Sequence, residues 1–398
     1  MAILLHLLFL WVGSLAPAGA VTAPSDVAAL AAFKAAISPA SITPFSCLAS
    51  WNFSSDPCRP GPSHFLCGLT CTTTGGGAAT ATATDRVTAI ALDPAGYSGT
   101  LTPLLSQLSL LAHLELPNNA FHGPIPTSLP SLQTLILSSN SFSGPIPSSV
   151  SKLTSLQILD LSRNPLAGPI PQFWGSMSGL RRLDLSFTRL YGNLPRALPP
   201  NLVNLALRGN SLSGTIKRAT FAPLRALEVV ELAANRLEGK VEGWFFLLPS
   251  LQQVDLANNS LSGVEVGPPS EGQQLVAVDL GFNRIEGQLP AALAGFPSLV
   301  ALTLRHNRLR GTIPSEYAGA KKGVPFRRLF LDGNFLTGTV PAGLLSSGEL
   351  VGSLGDNCLE GCPSAAALCS PPQKTEAVCK QGYGVDGRTR RPHPYLDR

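Results

Sequence analysis

Leu132–Pro147 reads LQTLILSSNSFSGPIP, and Leu156–Pro171 reads LQILDLSRNPLAGPIP. The two segments are copies of one pattern, L-x-x-L-x-L-x-x-N-x-L/F-x-G-x-I-P. Leu132 aligns with Leu156, Asn140 with Asn164, Gly144 with Gly168 and Pro147 with Pro171, each pair 24 residues apart. Self-similarity at such a period marks a chain made by stacking one small unit into a solenoid. One unit cannot bury its own apolar face, so each needs its neighbours.

The pattern continues in both directions. Repeats open at Val87, Leu111, Leu132, Leu156, Leu180, Leu202, Leu227, Leu251, Leu275, Leu299 and Phe326. The polar key residue is Asn119, Asn140, Asn164, Asn210, Asn235, Asn259, Asn283, Asn307, Asn334 and lastly Asn357, with Ala95 in the first repeat and Thr188 in the fifth. This makes eleven repeats and a degenerate twelfth, Leu354-x-x-Asn357, over residues 86–357. Alternation as in Leu159-Asp160-Leu161 predicts a short strand with one face in and one out. Such strands stack in parallel about 4.8 Å apart, and eleven of them make a concave sheet about 50 Å long. Inward asparagines can donate and accept, so a column of them can satisfy backbone where the chain leaves the sheet. The Gly after the next apolar residue fits a conformation that penalises a Cβ. The I-P pair sets an extended segment.

The 398-residue length does not force several domains, because a solenoid has no limit set by core size. Gly 38 and Pro 35 would suggest low complexity, but most fall in phase with the repeat. With 29 basic and 24 acidic residues the net charge is only +5, too small and too scattered for a nucleic-acid partner. It weakly favours an acidic polysaccharide, through long-range attraction only.

Residues 1–20 read as a secretory signal peptide: an apolar run from Ile3 to Leu15, then Ala18-Gly19-Ala20 as a small-x-small cleavage site, though without Lys or Arg ahead of it. No later run approaches the ~20 apolar residues of a membrane span, and there is no apolar C-terminal tail for a lipid anchor. The expected mature chain is secreted, into the extracellular space or cell wall. The cysteines agree, forming two groups of four: Cys47, Cys58, Cys67 and Cys71, then Cys358, Cys362, Cys369 and Cys379. In a secreted chain they imply disulfides, not zinc, and bridges help hold the caps that close a solenoid's open ends. Four cysteines allow three pairings, and spacing does not choose among them. The resulting division is an N-terminal cap at 21–85, repeats at 86–357, a C-terminal cap at 358–379 and a flexible tail at 380–398. Within the first cap, Ser25–Ile37 predicts a one-sided apolar helix with Ser25 as N-cap. Residues 72–84 (TTTGGGAATATAT) predict a mobile loop.

G-x-I-P after N-x-L resembles the plant-type extracellular leucine-rich repeat family. That family includes receptor-kinase ectodomains, receptor-like proteins, secreted repeat proteins and polygalacturonase inhibitors. Asp56-Pro57-Cys58 and Cys67-Gly68-Leu69-Thr70-Cys71 are similar to its N-terminal cap. The resemblance implies an α/β solenoid, a right-handed leucine-rich repeat superhelix with a parallel concave sheet, a second short strand near the I-P positions, and ligand contact on the concave side. The chain departs from the pattern in Cys47 and Cys67, additions to the commonest two-cysteine cap. Repeat eight (SGVEVGPPSEGQQ) lacks I-P, and repeats six and seven carry Ile216-Lys217 and Val241-Glu242 instead. No kinase motif is present, so the likeness to receptor kinases is to the ectodomain.

Outward strand positions form columns. The central one runs Glu115, Ile136, Asp160, Asp184, Ala206, Glu231, Asp255, Asp279, Thr303, Phe330. Its acids read more simply as solvated by-products of L-D-L strands than as a site, since unit charges ~5 Å apart repel by under ~1 kcal/mol in water. Phe282, Arg305, His306, Arg328, Phe330 and Asp332 project from repeats nine to eleven as a candidate partner-binding patch, because aromatics and arginines anchor interfaces. Arg181, Arg182, Phe187 and Arg208 form a second candidate. Trp244–Leu248 reads as core on the convex side. Asn52-Phe53-Ser54 and Asn258-Asn259-Ser260 are glycosylation sequons.

Catalytic signatures are missing. The histidines His6, His64, His113, His122, His306 and His393 have no metal-ligand spacing. Gly382-x-Gly384-x-x-Gly387 copies a dinucleotide motif without its strand and helix. No cofactor or metal is expected. The expectation is a non-enzymatic recognition protein that binds an extracellular protein or peptide in signalling or defence, a membrane receptor kinase being one such partner. The alternatives are an inhibitor of a cell-wall-degrading glycosidase and a structural protein that binds cell-wall polysaccharide.

Overall fold

The computed structural model describes residues 21–59, 66–75, 83–319, 326–346, 349–363 and 365–383. The expected leader at 1–20 and residues 384–398 of the expected tail lie outside the described residues.

Each repeat places three residues on one continuous sheet. Thirteen strands follow one another in chain order, and a fourteenth, Leu69–Thr74, pairs antiparallel with Thr84–Ala91 near the start. The register is uniform: Asp184 lies beside Asp160 and Ala206, Glu231 beside Asp255, and Thr303 beside Phe330. Parallel stacking without slippage follows from the constant spacing of inward leucines, because a one-residue slip would turn every leucine to water. Leu132, Leu135 and Leu137 are all 0% exposed, as are Leu299's neighbours Leu302 and Leu304. The I-P side carries three shorter parallel sheets of two, five and four strands. They are interrupted at Ser141–Ile146, where Pro145 removes a donor, and again after Ser260–Val264, where repeat eight lacks its I-P.

Most repeats return along the back through short 3₁₀ turns such as Pro103–Gln107, Ser148–Lys152 and Ala291–Gly295. Phe245 and Phe246 are fully buried there, so the Trp244–Leu248 run is convex-side core, with only the Trp244 indole reaching out to Glu242 at 2.8 Å.

The asparagine column performs the work its chemistry suggests. Asn164 Oδ1 accepts from Phe142 N of the preceding repeat at 3.0 Å, while Nδ2 donates to Leu137 O at 2.9 Å and Leu161 O at 3.1 Å. Asn307 and Asn334 repeat this geometry. Each rung therefore ties one turn of the solenoid to the next through buried backbone groups. The residue just before the asparagine is left-handed in turn after turn, from Asn118 (φ 55°) through Arg163, Phe187, Ala234 and Phe282 to Asp356 (φ 48°).

The caps close both ends. The N-terminal helix spans Pro24–Ala35 and buries Ala29, Leu30 and Phe33. It starts two residues earlier than expected: Ala23, not Ser25, is the cap residue, and Pro24 takes the first helical position that proline favours. Asp26, fully buried, holds Arg86 at 2.9 Å and accepts from Val87 N at 2.9 Å, fastening helix to sheet. The disulfides are Cys47–Cys67, Cys58–Cys71, Cys358–Cys379 and Cys362–Cys369. The stretch expected as a mobile loop contributes strand at both ends, through Thr74 and from Thr84; residues 76–82 lie outside the described residues. At the other end Leu354 N bonds Leu368 O at 2.6 Å, and an eight-residue helix, Glu376–Tyr383, follows, so the first residues of the expected tail are helical.

Candidate binding surface

The concave face is a grid of side chains, one row per repeat. Two rows stand out, and both hold candidates from the sequence. Phe282 is 42% exposed, and its ring stacks on His306 with centroids 4.6 Å apart and planes at 22°. The Arg305 guanidinium lies between two rings, 5.6 Å from Phe282 and 5.5 Å from Phe330. Asp332 anchors it at 3.1 Å, with His306 Nε2 3.6 Å from the same oxygen. Arg328 is exposed at the edge of the group. The structure thus brings five of the six residues together at the surface and places the sixth beneath them. Asp332 does not project: it is 3% exposed, because its carboxylate turns toward Arg305 instead of solvent.

The second group is assembled in part. Phe187 is 44% exposed, with Arg208 5.9 Å from its ring. Arg181 and Arg182 are exposed at the start of the strand Arg182–Asp184, the opposite end from Phe187. Arg208 reaches Asp255 at 3.6 Å, two repeats on. Sequence reasoning missed two members. Arg163 lies over the other side of the Phe187 ring at 4.7 Å, and Gly209 is the floor under it, where an added Cβ would be 2.6 Å from the ring. Gly333 is the counterpart under His306, at 2.5 Å. The available signal was positional: Arg163, Phe187, Gly209, Phe282, His306 and Gly333 all immediately precede the ladder residue.

The acidic column differs from the solvated row expected. The carboxyls of Asp184, Glu231, Asp255 and Asp279 are all pushed above the ordinary range, chiefly by burial among their neighbours. Asp255 and Asp279 each keep one oxygen on a backbone amide, Ala257 N at 3.1 Å and Gly281 N at 2.8 Å. Arg208 is the partial counter-charge for the first of these.

Of the sequons, Asn52 and Asn258 are both exposed. Among the described residues no group of His, Cys, Asp or Glu is arranged to hold a metal ion, and no helix is long and apolar enough to cross a membrane.

The leucine rich repeat family model matches residues 130–190, 200–261 and 249–309, and the leucine rich repeat N-terminal domain model matches residues 23–63. No curated protein sequence matches the chain. Among solved structures, the plant peptide hormone receptor RGFR1, in complex with RGF2, is 31% identical over 66% of this chain, with a TM-score of 0.60. PEPR1 with AtPEP1 is 30% identical over 84% of this chain, with a TM-score of 0.71. The ectodomain of the receptor kinase GASSHO1/SCHENGEN3 from Arabidopsis thaliana, with CASPARIAN STRIP INTEGRITY FACTOR 2, is 26% identical over 84%, with a TM-score of 0.63. The chain spans less than half the length of each of the three, 42%, 45% and 44%. The repeated asparagine rungs, the parallel concave sheet, the bridged caps and these matches together establish that the chain belongs to the plant-type extracellular leucine-rich repeat family.

Proposed function

We propose that this protein is a non-enzymatic recognition module that works outside the cell and binds a peptide along its concave sheet, in signalling or defence. The observation that carries the reading is the pair of exposed aromatic–arginine groups on the concave side, at Phe187 and Phe282, built from residues the solenoid itself does not require. Buried leucines and asparagines are fixed by the fold, whereas exposed Phe and Arg supply the contact energy typical of interfaces. The peptide-bound plant receptors similar to this chain support the same ligand class. A membrane receptor kinase fits as a second partner that would relay the signal.

The test is selection from a random peptide library on the purified secreted chain, repeated with Thr303→Trp, which fills the concave face, and Ser213→Trp, on the I-P side. Peptides enriched by the native chain and by Ser213→Trp but lost with Thr303→Trp are the expected result. No enrichment, or enrichment indifferent to Thr303→Trp, would overturn the reading. Inhibition of a pectin-cleaving glycosidase or retention on pectate, without any peptide selected, would put the inhibitor or polysaccharide reading in its place.

A further inference from the structure

Phe187 and Phe282 hold the same place in their repeats, four repeats apart, and each is the centre of a similar group. Both are left-handed, with φ 54° and 55°. A bulky side chain is uncommon there. Both keep over two-fifths of their surface exposed. Each ring leans onto the following repeat, over Gly209 or His306. Each is flanked by an arginine from that repeat, Arg208 or Arg305, and each arginine is held by a carboxylate further on, Asp255 or Asp332. The fold does not impose this, since Ala234 meets the same backbone conformation in repeat seven with no ring at all. In the second group, the Asp332 side chain is 4% exposed, and among the described residues neither its Oδ1 nor Arg305 Nε has a hydrogen-bond partner.

Glu231 and Asp255 lie on strands between the two stations and Asp279 on the second station's own strand, all three side by side in register. Four strand steps separate the stations, about 19 Å at the spacing of a parallel sheet. An extended peptide advances about 3.3 Å per residue, so about six residues bridge the gap. The half-buried acids fix the sign of what lies between: an anionic segment would add like charge to carboxylates that already repel one another, and a cationic one would neutralise them.

We infer that the concave surface from Phe187 to Phe282 binds an extended cationic peptide, with an apolar or aromatic side chain on each station about six residues apart and Lys or Arg between them over Glu231, Asp255 and Asp279. This rests on the peptide-binding reading above and specifies the ligand for it.

The experiment uses the full secreted chain and synthetic fluorescent peptides. The probe is Trp-Lys-Gly-Lys-Gly-Lys-Trp, compared with its Glu-for-Lys counterpart and with a peptide of the same composition whose two Trp residues are adjacent. Binding is read by anisotropy. The Lys peptide is expected to bind at least tenfold more tightly than either comparison, and to weaken as salt rises. Phe187→Ala and Phe282→Ala should each weaken it at least fivefold, and Asp255→Asn with Asp279→Asn should remove the preference for Lys over Glu. The Asn variants keep shape and hydrogen-bond acceptors, so they test the idea even where an aromatic replacement disturbs folding. Equal binding of the Lys and Glu peptides, or indifference to the spacing of the Trp residues, overturns the inference. If the library selection still yields concave-face peptides of another kind, the peptide-binding reading survives that result; if it yields none, both fall.

Discussion

Thr188 is a natural interruption of the asparagine ladder and predicts its own repair. Asn164, 3% exposed, bridges two repeats by accepting from Phe142 N at 3.0 Å and donating to Leu137 O at 2.9 Å. Thr188 is a shorter side chain. Its hydroxyl donates to Leu185 O in its own repeat at 3.1 Å, or to Asn210 Oδ1 at 2.6 Å, and it reaches neither Leu166 N nor Leu161 O in the repeat before. Asn164→Thr therefore orphans the buried Phe142 amide, at about 1–3 kcal/mol, and loses the donation to Leu137 O, which Asn140 also serves, at about 1 kcal/mol. The sum is about 2–4 kcal/mol of lost stability. Thr188→Asn supplies the missing acceptor and donor and should gain about 1 kcal/mol. Urea unfolding followed by circular dichroism gives the global values. Hydrogen exchange at the Phe142 and Leu166 amides gives the local ones, needed because repeats couple mainly to their neighbours. Exchange should quicken at Phe142 in the first variant and slow at Leu166 in the second. If Asn164→Thr changes stability by less than about 0.5 kcal/mol, the size of an ordinary surface change, the rungs are not what ties the turns together.

Three further outcomes are expected. Gly333→Ala puts a Cβ 2.5 Å from the His306 ring at a φ of +73°, so it should displace His306 from Phe282, lower stability by about 1–2 kcal/mol and weaken peptide binding, all measurable by melting and anisotropy. The raised carboxyl of Asp279 means the folded chain holds that proton more tightly than the unfolded one, so its contribution is most favourable at acid pH and declines as pH climbs through the raised folded value. Asp279→Asn keeps an acceptor for Gly281 N and removes the charge; it should melt higher than the native chain at about pH 7, and the advantage should shrink as pH falls through the raised folded value. Replacing both Cys358 and Cys379 by Ala should loosen the C-terminal cap by about 2–4 kcal/mol and speed exchange around Leu354 and Leu331, leaving the strands near Leu135 unchanged.

The solenoid was readable from residues because one period serves core, ladder and turn at once: Leu132, Asn140 and Gly144 each repeat for a separate physical reason, and the reasons agree. The caps were less readable. Four cysteines per cap leave the pairing open, and Pro24 rather than Ser25 opens the first helix because proline's fixed φ suits that position. Of the candidate surface, Phe187, Phe282 and the arginines beside them were visible as departures from the template. Asp332 was misjudged because the residue after the second strand leucine is buried in several repeats, as at Ser162, Ser186 and Ala233, and there the Asp332 carboxylate pairs with Arg305 of the repeat before. Arg163 was missed because nothing in the pattern L-x-x-N announces that its third residue is left-handed; glycine, the usual marker, stands there only at Gly209 and Gly333. The acids looked solvated on paper because one sequence column shows nothing of how closely adjacent strands crowd it.

Photo-cross-linking with mass-spectrometric mapping tests recognition along the concave sheet most directly. A library-selected peptide carrying a diazirine side chain is irradiated on the native chain, and the labelled residues are located. Adducts on outward strand positions between Arg182 and Phe330, with both Phe187 and Phe282 in the footprint, are the expected result. Adducts confined to the back turns, such as Ser148–Lys152 or Ala291–Gly295, or to the I-P side, would contradict it.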